Sequence, residues 1–168
     1  FENIERAAKA FVALGVEQGE IVVMATVTTP ETIYAFYGLN RIGAVANMVD
    51  PRTSVEGIRE YVAEVKARRV LTIDVAYPKI EKAIAHEAQV EQVVVVSPAD
   101  SLLQPKKMLF LANAYCRGKV PRLSRKCIRW GQFLDKGSSK EWRVEIGEQG
   151  TKTKDQRPKT KDQGMLVV

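Results

Sequence analysis

Cysteine and histidine are nearly absent from this sequence. Cys116, Cys127 and His86 are the only residues of these two types among 168. They are too few and too far apart to form the usual ligand set of a zinc site. No serine or cysteine lies at a spacing that would make it the nucleophilic partner of His86. We therefore interpret the cysteines as reduced structural thiols, and His86 as a structural residue on a helix.

Long apolar runs are also missing, since none reaches the roughly 20 residues that a helix needs to cross a bilayer. The first residues, Phe1, Glu2 and Asn3, include no initiator methionine and no basic region leading into an apolar stretch. We therefore expect a cytoplasmic protein with no membrane partner, whose sequence starts within a longer one.

A glycine-rich phosphate loop is absent as well. Residues 137–140 (Gly-Ser-Ser-Lys) have part of its composition, but the preceding strand, the second spaced glycine and the following helix are missing. Glu56, Glu60 and Glu64 repeat at helical spacing beside basic residues, and a solvated helix face accounts for them. The sequence therefore assigns no catalytic, cofactor-binding or metal-binding residue.

The net charge of +6 is unevenly distributed along the chain. Residues 1–100 carry 10 Lys and Arg against 14 Asp and Glu, whereas residues 101–168 carry 16 against 6. The densest basic stretch, residues 147–164, has no aromatic residue to stack on a base, so we expect no nucleic-acid partner. RNA or anion binding by this tail stays open as a minor alternative, whose mark would be steep salt dependence.

What the sequence does contain is a regular alternation of strand and helix patterns. The predicted strands, rich in β-branched residues, are 21–27, 44–49, 70–73 and 93–96. The first two predicted helices are an amphipathic segment from Ile4 to a stop at Gly15, and a helix from a Thr29 cap to Gly43 with Ile33, Phe36 and Tyr37 facing inward. A third helix follows a Thr53/Glu56 capping box, and a fourth spans residues 78–88. This order predicts an α/β fold, a layered and mostly parallel sheet flanked by helices.

Regularity fails after residue 100, so we expect an α/β sheet subdomain over residues 1–100 and an irregular extension over 101–168. Residues 106–116 have a helical pattern, and residues 127–134 offer apolar anchors. A repeated Thr-Lys-Asp-Gln motif makes 147–164 a low-complexity segment, which we expect to be a mobile polar loop. The apolar end, residues 165–168, is predicted as a terminal strand.

A connected set of short motifs goes beyond a generic α/β pattern. In order along the chain they are Leu14-Gly15-Val16, Gly19-Glu20, Thr29-Pro30-Glu31, Gly43-Ala44-Val45 and Asp50-Pro51. In this order they resemble the start of the adenylate-forming superfamily, which includes acyl-CoA synthetases, luciferases and the adenylation domains of peptide synthetases. A looser likeness runs from Thr53 to Asp74, and residues 128–136 are similar to that family's aromatic-x-x-Phe-Leu element.

The resemblance implies a parent enzyme that activates a carboxylic acid with ATP and magnesium and passes the acyl group to a thiol such as coenzyme A. The family's phosphate-gripping loop would follow a strand like residues 165–168, so no functional residue of the family falls on a position here. We therefore expect a structural N-terminal portion of a carboxylate-activating ligase, inactive by itself. Its partner would be the remainder of its own polypeptide, and exposed sheet edges would favour self-association.

A second interpretation is a stand-alone α/β module that binds a small molecule. Open parallel sheets bind ligands outside the carboxyl ends of their strands. In this chain those ends are predicted at residues 26–29, 47–50 and 74–77.

Overall fold

The structure, a computed structural model, describes residues 1–100, residue 108 and residues 123–138. Its strands are β1 (Ile21–Ala25), β2 (Val45–Val49), β3 (Arg69–Ile73), β4 (Gln92–Val96) and β5 (Cys127–Arg129). Its helices are α1 (Glu2–Ala13), α2 (Pro30–Arg41), α3 (Val55–Glu64), α4 (Tyr77–Ile84) and α5 (Trp130–Ser138).

The five strands form one sheet in the order β2-β1-β3-β4-β5, and every neighbouring pair is parallel. Helices α1, α2 and α5 contribute to an apolar core on one face, and α3 and α4 contribute to a second core on the other face. Strands β3 and β4 are buried almost throughout because they lie inside the sheet and are covered on both faces. The predicted fold class is confirmed.

The amino edge of the sheet is held by a buried arginine. The guanidinium of Arg69, at the start of β3, pairs with Glu20 and donates to the carbonyl of Leu14 at 2.7 Å, where α1 ends. The next residue, Gly15, has φ +78°, which confirms the predicted stop of α1. Arg69 thus joins the end of α1, the turn before β1 and the start of β3.

The buried face of α2 differs from the predicted one. Ile33 and Tyr37 are 42% and 53% exposed, while Ala35, Gly38 and Leu39 are buried. A Cβ on Gly38 would lie 3.0 Å from the backbone nitrogen of Ala8, so the two helices touch backbone to backbone there. The small residues and Leu39 therefore face α1 and the sheet, and Ile33 and Tyr37 turn outward, whereas Phe36 packs against the core as predicted.

Two helix ends also correct the predictions. The cap of α3 is Ser54, whose hydroxyl accepts from the backbone N–H of Gly57 at 3.0 Å, rather than Thr53. Helix α4 ends at Ile84, four residues before the predicted end at 88, so His86 lies in an exposed turn and not on the helix. A tight turn, in which the N–H of Glu87 donates to the carbonyl of Ile84, ends this helix early.

The sheet continues past residue 100. Strand β5 pairs with β4, and Phe133 of α5 packs against Phe11 of α1 with ring centroids 4.8 Å apart. The boundary at residue 100 stays a prediction, and so does the expected extension. The helical pattern at 106–116 falls outside the described residues except at residue 108, and the segments at 147–164 and 165–168 fall wholly outside them.

Candidate functional site

The carboxyl ends of β1 and β2 enclose an open cleft of about 490 Å³. Its lining residues are Thr26, Val27, Thr28, Met48, Val49, Asp50, Pro51 and Arg52. Six of these eight belong to the segments 26–29 and 47–50, which sequence analysis singled out, and Pro51 and Arg52 directly follow the second segment. The structure thus brings two of the three predicted strand ends together around one opening.

An ion pair stands at the mouth of this cleft. The guanidinium of Arg52 donates to both carboxylate oxygens of Asp50, at 2.7 Å from Nη2 and 3.0 Å from Nε, and the Arg52 backbone N–H adds a third bond at 2.8 Å. The side-chain and backbone hydrogen bonds from Arg52 lower the pKa of Asp50 to about 2. Asp50 is therefore ionised and already paired at neutral pH, so the cleft presents a neutral pair to a ligand.

Lys79 fixes the loop that forms one wall of the cleft. Its ammonium donates to the backbone carbonyls of Pro51, Arg52 and Thr53 at 3.1, 3.2 and 3.1 Å. Three acceptors use all three N–H groups of an ammonium. Sequence analysis missed this residue because the contact joins α4 to a loop 26 to 28 residues earlier.

Threonine hydroxyls line the floor where β1 leads into α2. Thr29 caps the helix by accepting from the backbone N–H of Thr32 at 3.3 Å, which confirms the predicted cap. The Thr32 hydroxyl donates to the carbonyl of Val27 at 2.9 Å and lies 3.2 Å from the hydroxyl of Thr26. These groups satisfy one another and hold the turn, which leaves Thr28 as the exposed hydroxyl of the cleft.

The third predicted strand end lies apart from this cleft. Asp74, directly after β3, accepts from the hydroxyl of Ser97 at 2.7 Å and from the backbone N–H of Val75 at 2.7 Å. Thr72 donates to the carbonyl of Ala25 at 2.9 Å, between β3 and β1. The Thr72 bond ties β3 to β1 at the point where the chain order reverses, which is the usual ligand position in sheets of this order, and the Asp74 bond ties the ends of β3 and β4.

A smaller hollow of about 340 Å³ lies among the amino ends of α1, α2 and α5. It is lined by Asn3, Arg6, Glu31, Tyr34, Asp100, Trp130, Gly131 and Leu134. Acidic, basic and aromatic groups share this hollow, and no pair among them has the geometry of a nucleophile and its base.

Gly137, at the start of the phosphate-loop fragment, and the glutamates of α3, which the sequence analysis considered as possible sites, lie outside both the cleft and the smaller hollow. Gly137 is buried in α5, where a Cβ would lie 2.6 Å from the backbone nitrogen of Ala10, so it serves helix packing and not a phosphate loop. Glu56, Glu60 and Glu64 are exposed on α3, which confirms the solvated face. Within residues 1–100, 108 and 123–138, no three His, Cys, Asp or Glu side chains are grouped to hold a metal ion. The absence of metal-binding and phosphate-binding residues from this chain stays a prediction.

Cys127 belongs to a small polar cluster around Tyr77. Its thiol donates to the Tyr77 hydroxyl at 3.1 Å, the N–H of Ser124 donates to the same oxygen at 3.1 Å, and the hydroxyl donates to Glu81 at 2.7 Å. Burial raises the pKa of Tyr77, and its hydrogen bond with Cys127 acts in the same direction. This cluster fastens the segment before β5 to α4.

The architecture defines an open, doubly wound α/β domain with a ligand-sized cleft at the carboxyl ends of its first two strands. The chain belongs to the AMP-binding enzyme family, since a model of the family described as "AMP-binding enzyme" matches residues 1–146. In the part of the chain that the structure describes, no helix is both long and apolar enough to cross a membrane.

Similar curated proteins are acyl-CoA ligases. The chain is 37% identical over 93 residues to a 3-hydroxybenzoate–CoA ligase of Aromatoleum, which covers 55% of this chain and 18% of that protein. It is 33% identical over 92 residues to the 3-hydroxypropionyl-coenzyme A synthetase of Metallosphaera sedula, covering 55% and 14%. It is 30% identical over 104 residues to the acetyl-coenzyme A synthetase of Streptomyces coelicolor, covering 56% and 16%. The matches thus span less than a fifth of each relative's length.

Solved structures agree on the fold. The anthranilate CoA ligase AuaEII superposes with a TM-score of 0.54 at 24% identity, over 55% of this chain and 18% of that one. A benzoate CoA ligase from Burkholderia xenovorans gives a TM-score of 0.53 at 22% identity, over 56% and 19%. The likeness to the adenylate-forming superfamily inferred from the sequence motifs is confirmed.

Proposed function

We propose that this chain is the structural N-terminal portion of an ATP-dependent ligase that activates a carboxylic acid and transfers it to coenzyme A. The observation that carries the proposal is the family match over residues 1–146 together with acyl-CoA ligases as relatives. The sheet and its two helical layers supply a rigid wall, on which the rest of such an enzyme would be built. In this proposal, ATP, magnesium and coenzyme A are bound by the whole enzyme, through residues outside this chain.

The coding sequence downstream of Val168 tests the parent enzyme directly. A continuation into a Ser/Thr/Gly-rich run that ends in lysine is the expected result, because such a run supplies backbone N–H groups for phosphate binding. A stop codon directly after Val168 would instead favour the stand-alone module.

The second part of the proposal is that the isolated chain does not adenylate. Charge stabilisation at the ATP phosphates needs preorganised donors, and none is assembled among the described residues. The measurement is ATP–pyrophosphate exchange by the purified chain, with the full-length Aromatoleum relative and its own acid as the positive control. Exchange above the background of a heat-denatured sample would contradict this part.

A second candidate function, a small-molecule-binding module, is favoured by the cleft between β1 and β2. A volume of about 490 Å³ lies in the range of small-ligand sites. Screening carboxylic acids, coenzyme A and ATP for a rise in melting temperature tests it. A genuine cleft ligand would lose its effect in Arg52→Gln but keep it in Lys66→Gln, which changes an exposed cation outside the cleft.

A further inference from the structure

Exposed apolar side chains gather at one edge of the molecule. Among the described residues, six of the nine exposed large apolar side chains come from the loop after β1, from α2, from β2 and from α3. These six, the β2 margin, are Val27, Ile33, Tyr37, Val45, Met48 and Tyr61, each 42% to 53% exposed. Apolar patches of a few hundred Å² on a protein surface often mark an interaction site.

The fold explains why these residues lie together. Among the described residues, strand β2 is the last strand of the sheet, and α2 is the outermost helix on its face because α1 packs against both α2 and α5. Ile33 and Tyr37 are one helical turn apart, on the side of α2 away from α1. On the other face, Arg59 of α3 donates to the carbonyl of Ala83 in α4, and Tyr61, two residues further along α3, lies roughly 200° round the helix, on the side away from α4.

The two edges of the described sheet differ in their protection. Natural edge strands are usually guarded by charges or proline. Strand β2 (Val-Ala-Asn-Met-Val) contains neither, whereas β5 carries an exposed Arg129 and has Arg125 and Lys136 nearby. The unguarded edge is therefore the apolar one.

We propose that the β2 margin docks a second copy of this chain through a two-fold axis, with β2 pairing antiparallel to the β2 of the partner. Such a contact is isologous, so each copy offers the same edge and the same helix faces. With no charge in the strand, two-fold pairing opposes no like charges across the joint. The two sheets then form one continuous sheet across the interface, and the two α2 helices cover the β2–β2 pair on one face.

The available area suits a stable dimer. An aromatic side chain buries roughly 150–250 Å² in full and an aliphatic one less, so two tyrosines and four aliphatic residues, each about half exposed, offer on the order of 500 Å² per copy. A standard interface takes about 800 Å² from each partner, and in the proposed dimer the backbone edge of β2 and its flanking residues would supply the remainder. The inference does not depend on the proposed ligase function.

Sedimentation velocity of the purified chain over a wide concentration range tests the proposal. We expect the mass to rise from the 18.8 kDa of one chain towards twice that value. Tyr37→Lys and Met48→Lys should each weaken dimerisation about tenfold or more, because a buried, unpaired ammonium opposes association. Val75→Lys is the matched control, since Val75 is 74% exposed but lies after β3, away from the margin.

Hydrogen exchange of the unmutated chain gives a second, independent measurement. Amides of β2 should gain protection as concentration rises. A chain that stays monomeric overturns the proposal, as does a dimer that gains protection at β5 or that tolerates both margin substitutions. Protection of β2 that is already complete in the monomer also overturns it, because another segment of the same chain then covers the margin. If circular dichroism shows that the lysine variants do not fold, hydrogen exchange of the unmutated chain tests the proposal without them.

Discussion

Two glycines of α5 show how one position can decide helix packing. Gly137 faces α1 so closely that a Cβ would lie 2.6 Å from the backbone nitrogen of Ala10 and 3.0 Å from its Cα. Backbone atoms cannot move aside as the end of a flexible side chain can. Gly131, in the same helix, has nothing within 4 Å of the added Cβ.

We therefore expect Gly137→Ala to lower the free energy of unfolding by about 1–3 kcal/mol through overpacking. Gly131→Ala should be neutral or stabilise by up to about 1 kcal/mol, since alanine favours helix over glycine. Urea denaturation of both variants measures the difference. Equal effects of the two substitutions would show that the close approach of α1 and α5 does not constrain residue 137.

The cap of α3 gives a second pair of neighbouring residues with different roles. Ser54 accepts the hydrogen bond from Gly57, whereas Thr53 contributes its backbone carbonyl to Lys79. Ser54→Ala should cost about 1 kcal/mol of stability, because it leaves a helix N–H without its cap. Thr53→Ala keeps the carbonyl and should cost less. If Thr53→Ala lowered the free energy of unfolding more than Ser54→Ala, the original prediction of Thr53 as the cap would be supported instead.

At the scale of elements, the alternation of apolar runs was enough to predict the first four strands and their helices. β-branched runs such as 93–96 predict buried strands because only covered strands tolerate apolar residues on both faces. The apolar pattern gave wrong predictions where contacts between elements decide which side of a helix is buried. The face that α2 buries depends on the close approach of Gly38 to Ala8, which no periodicity within α2 reveals.

The candidate cleft was predictable in part for the same reason. Strand ends locate residues 26–29 and 47–50 at one edge of a parallel sheet. The spacing of Asp50 and Arg52 was visible in the sequence and could have suggested their ion pair. The anchoring of their loop by Lys79 could not, because it depends on the packing of α4 against α3 and the loop before it.

Tyr77 couples two elements, and its hydroxyl gives that coupling a pH dependence. The hydroxyl joins α4 to the segment before β5 through Ser124 and Cys127. Burial raises its pKa above the ordinary value of 10.0, so folding favours the neutral phenol. Its contribution to stability is therefore fully present below pH 10 and is lost as the pH rises beyond that value.

Tyr77→Phe should lower the free energy of unfolding at neutral pH by about 1–2 kcal/mol, because the N–H of Ser124 loses its acceptor. The same variant should also lose less stability than the unmutated chain when the pH is raised above 10. Urea denaturation at neutral and alkaline pH measures both effects. A parallel decline in the two proteins would show that the phenol does not carry the alkaline sensitivity.

At the scale of the whole molecule, the question is whether the sheet unit ends at residue 100 or extends to α5. Trp130 and Phe133 of α5 are buried at 5% and 0% exposure, and both belong to the core that contains Phe11 and β1. Because the core is shared in this way, we expect it to unfold as one cooperative unit. The polar composition of residues 101–168 predicted a boundary at residue 100. Composition averages over the whole segment, however, whereas packing depends on the few apolar residues in it, such as Trp130 and Phe133.

Trp130 allows these alternatives to be separated. In a Trp142→Phe background it is the single tryptophan, since the chain has 2. We expect its fluorescence and the far-ultraviolet circular dichroism to report the same urea midpoint, and Phe133→Ala to lower both together by about 3–5 kcal/mol in unfolding free energy. A fluorescence transition at lower urea, with the helical signal intact, would instead establish residues 1–100 as an independent unit. Coincident transitions would mean that any shortened form must keep α5 to retain the stability of the sheet.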